Sequence, residues 1–190
     1  MDPIRLLVVC TANQCRSPMA EAFAADRAYH LGVSLLTASA GTRATDGVPA
    51  TDDATLTMRR LGLDISAHRS RLVTTEMATT ADLVVAMERH HVLDLVNLHG
   101  APMTRTYTVL ELEAVTAATQ RAPDETVDDY LERIAADRSA ADVMRAPDLA
   151  DPVGRTLRRH RRTAGVLREA VDRILDGVAG VNPSPGATDR

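Results

Sequence analysis

The sequence predicts an α/β fold: a single domain with an open parallel four-stranded sheet and helices on both faces. Three observations carry that expectation. Short runs rich in β-branched residues alternate with helical stretches of about ten residues or more, the pattern of βαβ units. The first run, Ile4–Val9, is apolar apart from Arg5 and does not alternate, as a strand buried on both faces must be. A chain of 190 residues, 45% hydrophobic and 25% charged, supplies one substantial core, and no repeat or linker divides it.

Each element follows from local signals. After Ile4–Val9 and a polar turn, Pro18 stands where a first helical position is expected; Met19, Ala20, Phe23, Ala24 and Leu31 then mark a helix that Gly32 ends. Ser34–Ala38 is the second strand, Ala50–Leu61 a helix stopped by Gly62, and Leu83–Met87 the third strand. Glu88–Leu98 is helical and Thr104–Thr108 is the fourth strand. Helices are expected over Val109–Gln120 and over Glu125–Ala136, the second with Asp124 as N-cap. Ala164, Leu167, Val171, Ile174, Leu175 and Val178 keep helical spacing, so a last helix docks on the sheet. The domain is expected to span 1–181, with Asn182–Arg190 a frayed tail of small residues and prolines.

Composition excludes several classes. A net charge of −4 gives no nucleic-acid footprint. The only aromatics are Phe23, Tyr29, Tyr107 and Tyr130, too few for base-stacking platforms. Met1-Asp2-Pro3-Ile4-Arg5 lacks a signal-peptide layout, and Leu6–Cys10 is too short to cross a membrane, so a cytoplasmic protein is expected. The two cysteines, Cys10 and Cys15, are too few for a disulfide framework or a structural zinc site.

The informative segment is Val8-Val9-Cys10-Thr11-Ala12-Asn13-Gln14-Cys15-Arg16-Ser17-Pro18, between the first strand and the first helix. In an open α/β sheet, the carboxyl end of a strand opens into the ligand crevice. Backbone N–H groups of a tight turn there, with those of the helix start, form an anion cradle. Thr11, Ala12, Asn13, Gln14, Cys15 and Arg16 would surround a phosphate or another oxyanion, and the planar fork of Arg16 can take two of its oxygens. A cysteine at the base of the cradle sits in positive potential, which favours its thiolate and makes it a nucleophile.

This segment resembles the low-molecular-weight protein tyrosine phosphatase family, whose signature runs Cys-x-Gly-Asn-x-Cys-Arg-Ser-Pro. Further similarity extends over about 160 residues: Ser39-Ala40-Gly41-Thr42 with Gly47 and Pro49, His68-Arg69-Ser70-Arg71, Ala81–Met87, and Asp151-Pro152. The resemblance implies the four-stranded fold and a phosphomonoesterase acting on a phosphorylated protein substrate. It implies Cys10 as nucleophile, Arg16 as the residue that binds phosphate and steadies the transition state, and Asp151 as general acid, with Asp148 as rival. It implies that Asn13, Ser17, Ser39 and His68 hold the loop in shape, and that no metal or cofactor is required. His90-His91, on a helix, are expected to face solvent. Cys10 and Cys15 would form a redox pair in which Cys15 resolves an oxidised Cys10. Nothing in the sequence fixes an oligomeric state.

The chain departs from that family in identifiable places. Ala12 replaces a loop glycine; at a positive φ it would cost on the order of 1 kcal/mol. Gln14 matches neither the Ile of tyrosine-directed members nor the Thr of arginine-directed ones. The aromatics that sandwich a phenol ring are replaced by Thr45, Val153 and Gly154. The segment 111–150 is longer than the usual connection and could roof the site or make a partner surface. The arginine-rich stretch Gly154–Arg168 is either a solvated helix face or a recruiter of an acidic substrate or partner. Alternatives to a tyrosine phosphatase are an arsenate reductase using a low-molecular-weight thiol, a protein-arginine phosphatase, and a phosphate- or phosphoprotein-binding module without turnover. A thioredoxin-coupled reductase is excluded, because no cysteine follows Cys15.

Overall fold

A computed structural model describes residues 3–181. Its elements are β1 (Ile4–Cys10), α1 (Arg16–Leu31), β2 (Leu35–Gly41), α2 (Asp52–Arg60), α3 (Thr75–Thr80), β3 (Leu83–Ala86), α4 (Arg89–His99), β4 (Thr106–Thr108), α5 (Val109–Ala118), α6 (Val127–Ala135), α7 (Ala140–Arg145) and α8 (Leu157–Ala179). A 3₁₀ turn, Met103–Arg105, leads into β4 and takes the first two residues of the expected fourth strand. The expected tail lies outside the described residues.

The strands form one sheet in the order β2-β1-β3-β4, all parallel. Strand β1 is covered on both sides: Leu6, Val8 and Cys10 join one apolar cluster, Leu7 and Val9 the other. That is why its sequence shows no polar alternation. The first cluster is the larger. It holds Phe23 of α1 together with Leu167, Val171, Ile174 and Leu175 of α8, each side chain contributing roughly 1.5–3 kcal/mol by burial. Helix α8 also lies close against α5, where a Cβ on Gly177 would stand 2.8 Å from Thr116 Cβ.

Chain order reverses on either side of β1, so the carboxyl ends of β1, β2 and β3 open into a common crevice. Pro18 is the third residue of α1, not the first, which its missing N–H tolerates equally because that N–H has no partner within the helix. Gly32 closes the helix in the left-handed conformation (φ 66°). Helix α6 starts two residues later than a helix capped by Asp124 would: Thr126 is its N-cap, and its hydroxyl accepts from Asp129 N. Helix α8 begins at Leu157, a turn and more before its apolar spacing becomes readable.

Candidate active site

Strand β1 ends at Cys10 and α1 begins at Arg16, so residues 11–15 must turn the chain within five positions. Asn13 makes that turn possible. It is the only non-glycine with positive φ (55°) among the described residues, a conformation Asn tolerates better than most. Ala12 has no positive φ, so the strain considered for it is absent. The buried Asn13 side chain fixes the loop through every polar atom it has. Its Nδ2 donates to Ser17 Oγ and Ser39 Oγ, both at 2.9 Å, and its Oδ1 accepts from Arg71 N at 2.9 Å. His68 Nε2 donates to the Asn13 carbonyl at 2.7 Å, which requires the proton on that nitrogen. The four expected supporting residues, Asn13, Ser17, Ser39 and His68, are therefore brought together.

Gly41 completes the mould. A Cβ there would lie 2.5 Å from Thr11 O and 2.9 Å from Asn13 N. The same close approach lets Thr42 N and Arg43 N donate to the carbonyls of Cys10 and Thr11. Gln14 is half-buried, and its carbonyl accepts from Thr51 N, tying the loop to the start of α2.

Cys10 Sγ lies at the base of this loop, 3.3 Å from Asn13 N, which donates to it, and 3.0 Å from Ser17 Oγ. Cys15 is also buried and reduced. Burial, with Asp151 and Cys10 close by, pushes the Cys15 thiol up to about 12. Cys15 is thus a neutral thiol at physiological pH.

Arg16 is buried, and its guanidinium joins distant parts of the chain. One terminal nitrogen donates to Glu88 Oε1 at 2.5 Å and to the Leu149 carbonyl at 2.7 Å. The other donates to Asp151 Oδ2 at 2.9 Å. The second Asp151 oxygen accepts from Val153 N, so the carboxylate is fixed at both oxygens. Asp148, the rival, points elsewhere: it accepts from Arg89 N and pairs with the Arg89 guanidinium at 2.9 Å. Partial burial opposes its charge, but the Arg89 hydrogen bonds outweigh this and hold its carboxyl below the usual range.

Two residues here were not anticipated. Glu88 is the buried arginine's second carboxylate partner. His91 corrects the expectation that His90-His91 face solvent: His90 is half exposed, whereas His91 is fully buried. His91 Nε2 lies 2.9 Å from Thr11 Oγ1 in the loop, and its Nδ1 is buried without a partner among the described residues. Burial, helped by the charges of His90 and Arg16, drives the imidazole down to about 3, so it is neutral. The one signal for this was the i, i+3 spacing of Glu88 and His91 at the start of a helix that follows β3.

Glu88, His90 and His91 are the one group among the described residues whose ligand atoms approach as metal ligands do, within 4.8 Å. Glu88 is already held by Arg16, and His91 by Thr11. The fixed guanidinium beside them repels a metal cation.

Thr45 and Val153 are exposed, and Gly154 adopts a positive φ of 72°. None of the three can sandwich an aromatic ring.

A cysteine and an arginine bracketing a strand-to-helix anion loop, with an aspartate brought over the arginine, define a hydrolase built for phosphate esters. Comparison with known proteins agrees. The family model for low molecular weight phosphotyrosine protein phosphatase matches residues 5–133, and the chain belongs to that family. The Ralstonia nicotianae protein named "Probable low molecular weight protein-tyrosine-phosphatase EpsP" is 37% identical over 108 residues, which are 57% of this chain and 72% of that one. The protein-arginine-phosphatase of Geobacillus stearothermophilus is 27% identical over 174 residues, 92% of this chain and 95% of that one. The crystal structure of the low molecular weight protein tyrosine phosphatase from T. tengcongensis superposes with a TM-score of 0.71 at 29% identity, covering 91% of this chain and 98% of that one. Among the described residues, no helix is long and apolar enough to cross a membrane.

Proposed function

We propose that the protein hydrolyses protein phosphotyrosine through a cysteinyl-phosphate intermediate. The observation that supports this most is the 2.9 Å pair between Arg16, at the end of the loop, and Asp151, 135 residues later. It sets a carboxyl group, which can carry a proton to a leaving group, beside the residue that would bind the transferred phosphoryl.

In the first step the Cys10 thiolate attacks phosphorus. The S–P bond forms, the bond to the phenolic oxygen breaks, and that oxygen takes a proton from Asp151. Backbone N–H groups of 11–15 and the Arg16 fork receive the phosphoryl oxygens. The transition state is loose, so positioning and charge stabilisation supply most of the rate. Glu88 and the Leu149 carbonyl orient Arg16 from behind. In the second step Asp151, now a carboxylate, takes a proton from water, which attacks phosphorus. Phosphate leaves and the Cys10 thiolate returns. Ser17 Oγ, 3.0 Å from Cys10 Sγ, can donate a hydrogen bond to that thiolate.

One observation favours a second reading, phosphoarginine as substrate. The positions that would stack a phenol ring carry Thr45, Val153 and Gly154, and a relative that matches over 92% of the chain is named a protein-arginine-phosphatase. A burst assay with a chromogenic aryl phosphate, run beside phosphotyrosine and phosphoarginine peptides and beside arsenate with low-molecular-weight thiols, separates these activities. Cys10→Ser should abolish turnover yet keep vanadate binding, because the amide cradle and Arg16 remain. Retention of a tenth of wild-type activity by that variant would exclude the covalent mechanism.

A further inference from the structure

All 22 basic residues of the chain are arginines, and most of the buried or structured ones have found an acid or a carbonyl. Arg5, Arg16, Arg27, Arg89, Arg133, Arg138, Arg168 and Arg173 each pair with a carboxylate within 3 Å. Arg155, Arg158, Arg159 and Arg162 do not. All four are exposed, and their side chains make no hydrogen bond or ion pair with the described residues. They line a single cavity of about 980 Å³ together with Gly154 and Thr156.

Their position works against the local structure. Arg158 and Arg159 sit in the first turn of α8, where the helix dipole favours acids, and that turn holds no acidic residue. The N-cap, Thr156, makes no side-chain hydrogen bond to the helix start. Arg158 and Arg162 are like charges at i, i+4, a repulsive spacing. In a molecule with four more acids than bases, such a cluster could have been neutralised easily. Local rules broken together in one place point to function. A single condition satisfies all of them: an extended polyanion lying in the groove. The groove opens three residues after Asp151, on the loop that carries the proton donor, so a chain whose phosphoryl group enters the Cys10 loop passes beside it.

We infer that the arginine-lined groove formed by Arg155, Arg158, Arg159 and Arg162 is a docking site for an acidic segment flanking the phosphorylated residue of the substrate protein. This rests on the proposed phosphatase activity and names its substrate class: phosphoproteins whose target residue lies among acidic or further phosphorylated residues. Free helix N–H groups and forked guanidiniums suit carboxylates and phosphates alike. Recognition of this kind is long-range and salt-sensitive, whereas chemistry at Cys10 is local.

The test uses the full chain and the triple variant Arg158→Ala/Arg159→Ala/Arg162→Ala, whose folding is checked by thermal unfolding. Two phosphotyrosine peptides are compared, one with three glutamates on either side and one with glutamines, beside an aryl phosphate. Wild type should show kcat/KM at least tenfold higher for the acidic peptide, carried mostly by KM and reduced by 0.5 M salt. The triple variant should lose the preference and stay within twofold of wild type on the aryl phosphate. In parallel, anisotropy measures binding of the same glutamate peptide without its phosphate; wild type should bind it and the triple variant should not. That binding with no peptide turnover would refute the phosphatase reading while upholding the docking site. Equal use of both peptides by wild type, or a preference that survives in the triple variant, would overturn the docking site. Arginine-dependent sedimentation with phosphatidylglycerol vesicles without any peptide preference would assign the groove to a membrane surface instead.

Discussion

At the scale of single residues, the loop depends on groups whose charge state is set by burial. His91 is driven down to about 3 and is neutral in the folded protein, while an unfolded chain would protonate it near the ordinary histidine value of about 6.5. Between those values the unfolded state binds more protons, so stability rises with pH and is lost as pH falls from 6.5 toward 3, by at most about 1.4 kcal/mol per pH unit. The isosteric His91→Gln should flatten the pH dependence of Tm over pH 6.5–4 while keeping a partner for Thr11. An unchanged slope would mean that other groups carry it. The expected resolving role of Cys15 has a pH signature. Its thiol, pushed up to about 12, is a poor attacking group at neutral pH, so closure onto a Cys10 sulfenic acid should be slow and should speed up with pH. After equal peroxide treatment followed by dithiothreitol, wild type should recover more activity at pH 9 than at pH 7, and Cys15→Ala should recover little at either. Equal recovery by both proteins would leave Cys15 a packing residue. That Cys10, Asn13, Arg16 and Asp151 come together was legible, because the family resemblance rests on their residue types and their order along the chain. His91 was not, because two histidines on an amphipathic helix look alike until the sheet decides which one faces inward.

At the scale of elements, the loop takes its shape from β2 and from the 68–71 segment as much as from its own residues. Gly41 ends β2 against the carbonyl of Thr11, with no room for a methyl group. Gly41→Ala should therefore push the loop off its amide contacts, cutting kcat/KM for an aryl phosphate by at least tenfold and weakening vanadate binding. Far-UV circular dichroism should be retained. Full activity in that variant would show that the loop can give way there. The apolar runs of β1 and β3 and the longer helices α1 and α4 were readable to within a residue or two. Helices α3 and α7 were missed, each only six residues long and too short to show a period. The start of α8 was also missed, because its first two turns carry arginines rather than a core-facing stripe. The long 109–150 segment meets the site only at its end: Leu149 N donates to Met87 O and Leu149 O accepts from Arg16. Its middle is anchored instead by Arg138, which pairs with Glu111 at 2.7 Å and lies 4.0 Å from the Tyr107 ring centre.

At the scale of the whole molecule, the site is assembled from regions far apart in the chain: 10–17, 39–41, 68–71, 88–91 and 149–151. The order β2-β1-β3-β4 brings the first four together at the carboxyl ends of three adjacent strands. The fifth arrives by a return from the far side of β4, and Arg16 is where it docks. The central claim is that this return delivers Asp151 as the acid for a leaving group displaced by Cys10. It is tested most directly by comparing Asp151→Asn with wild type across aryl phosphates of graded leaving-group ability, with kcat/KM measured for each. General-acid assistance typically contributes roughly 10²–10⁴-fold, and a leaving group that departs unaided needs little of it. The expected loss lies in that range for phenyl phosphate and is much smaller for a nitrophenyl ester. An equal loss for both esters would contradict it and leave Asp151 a structural partner of Arg16.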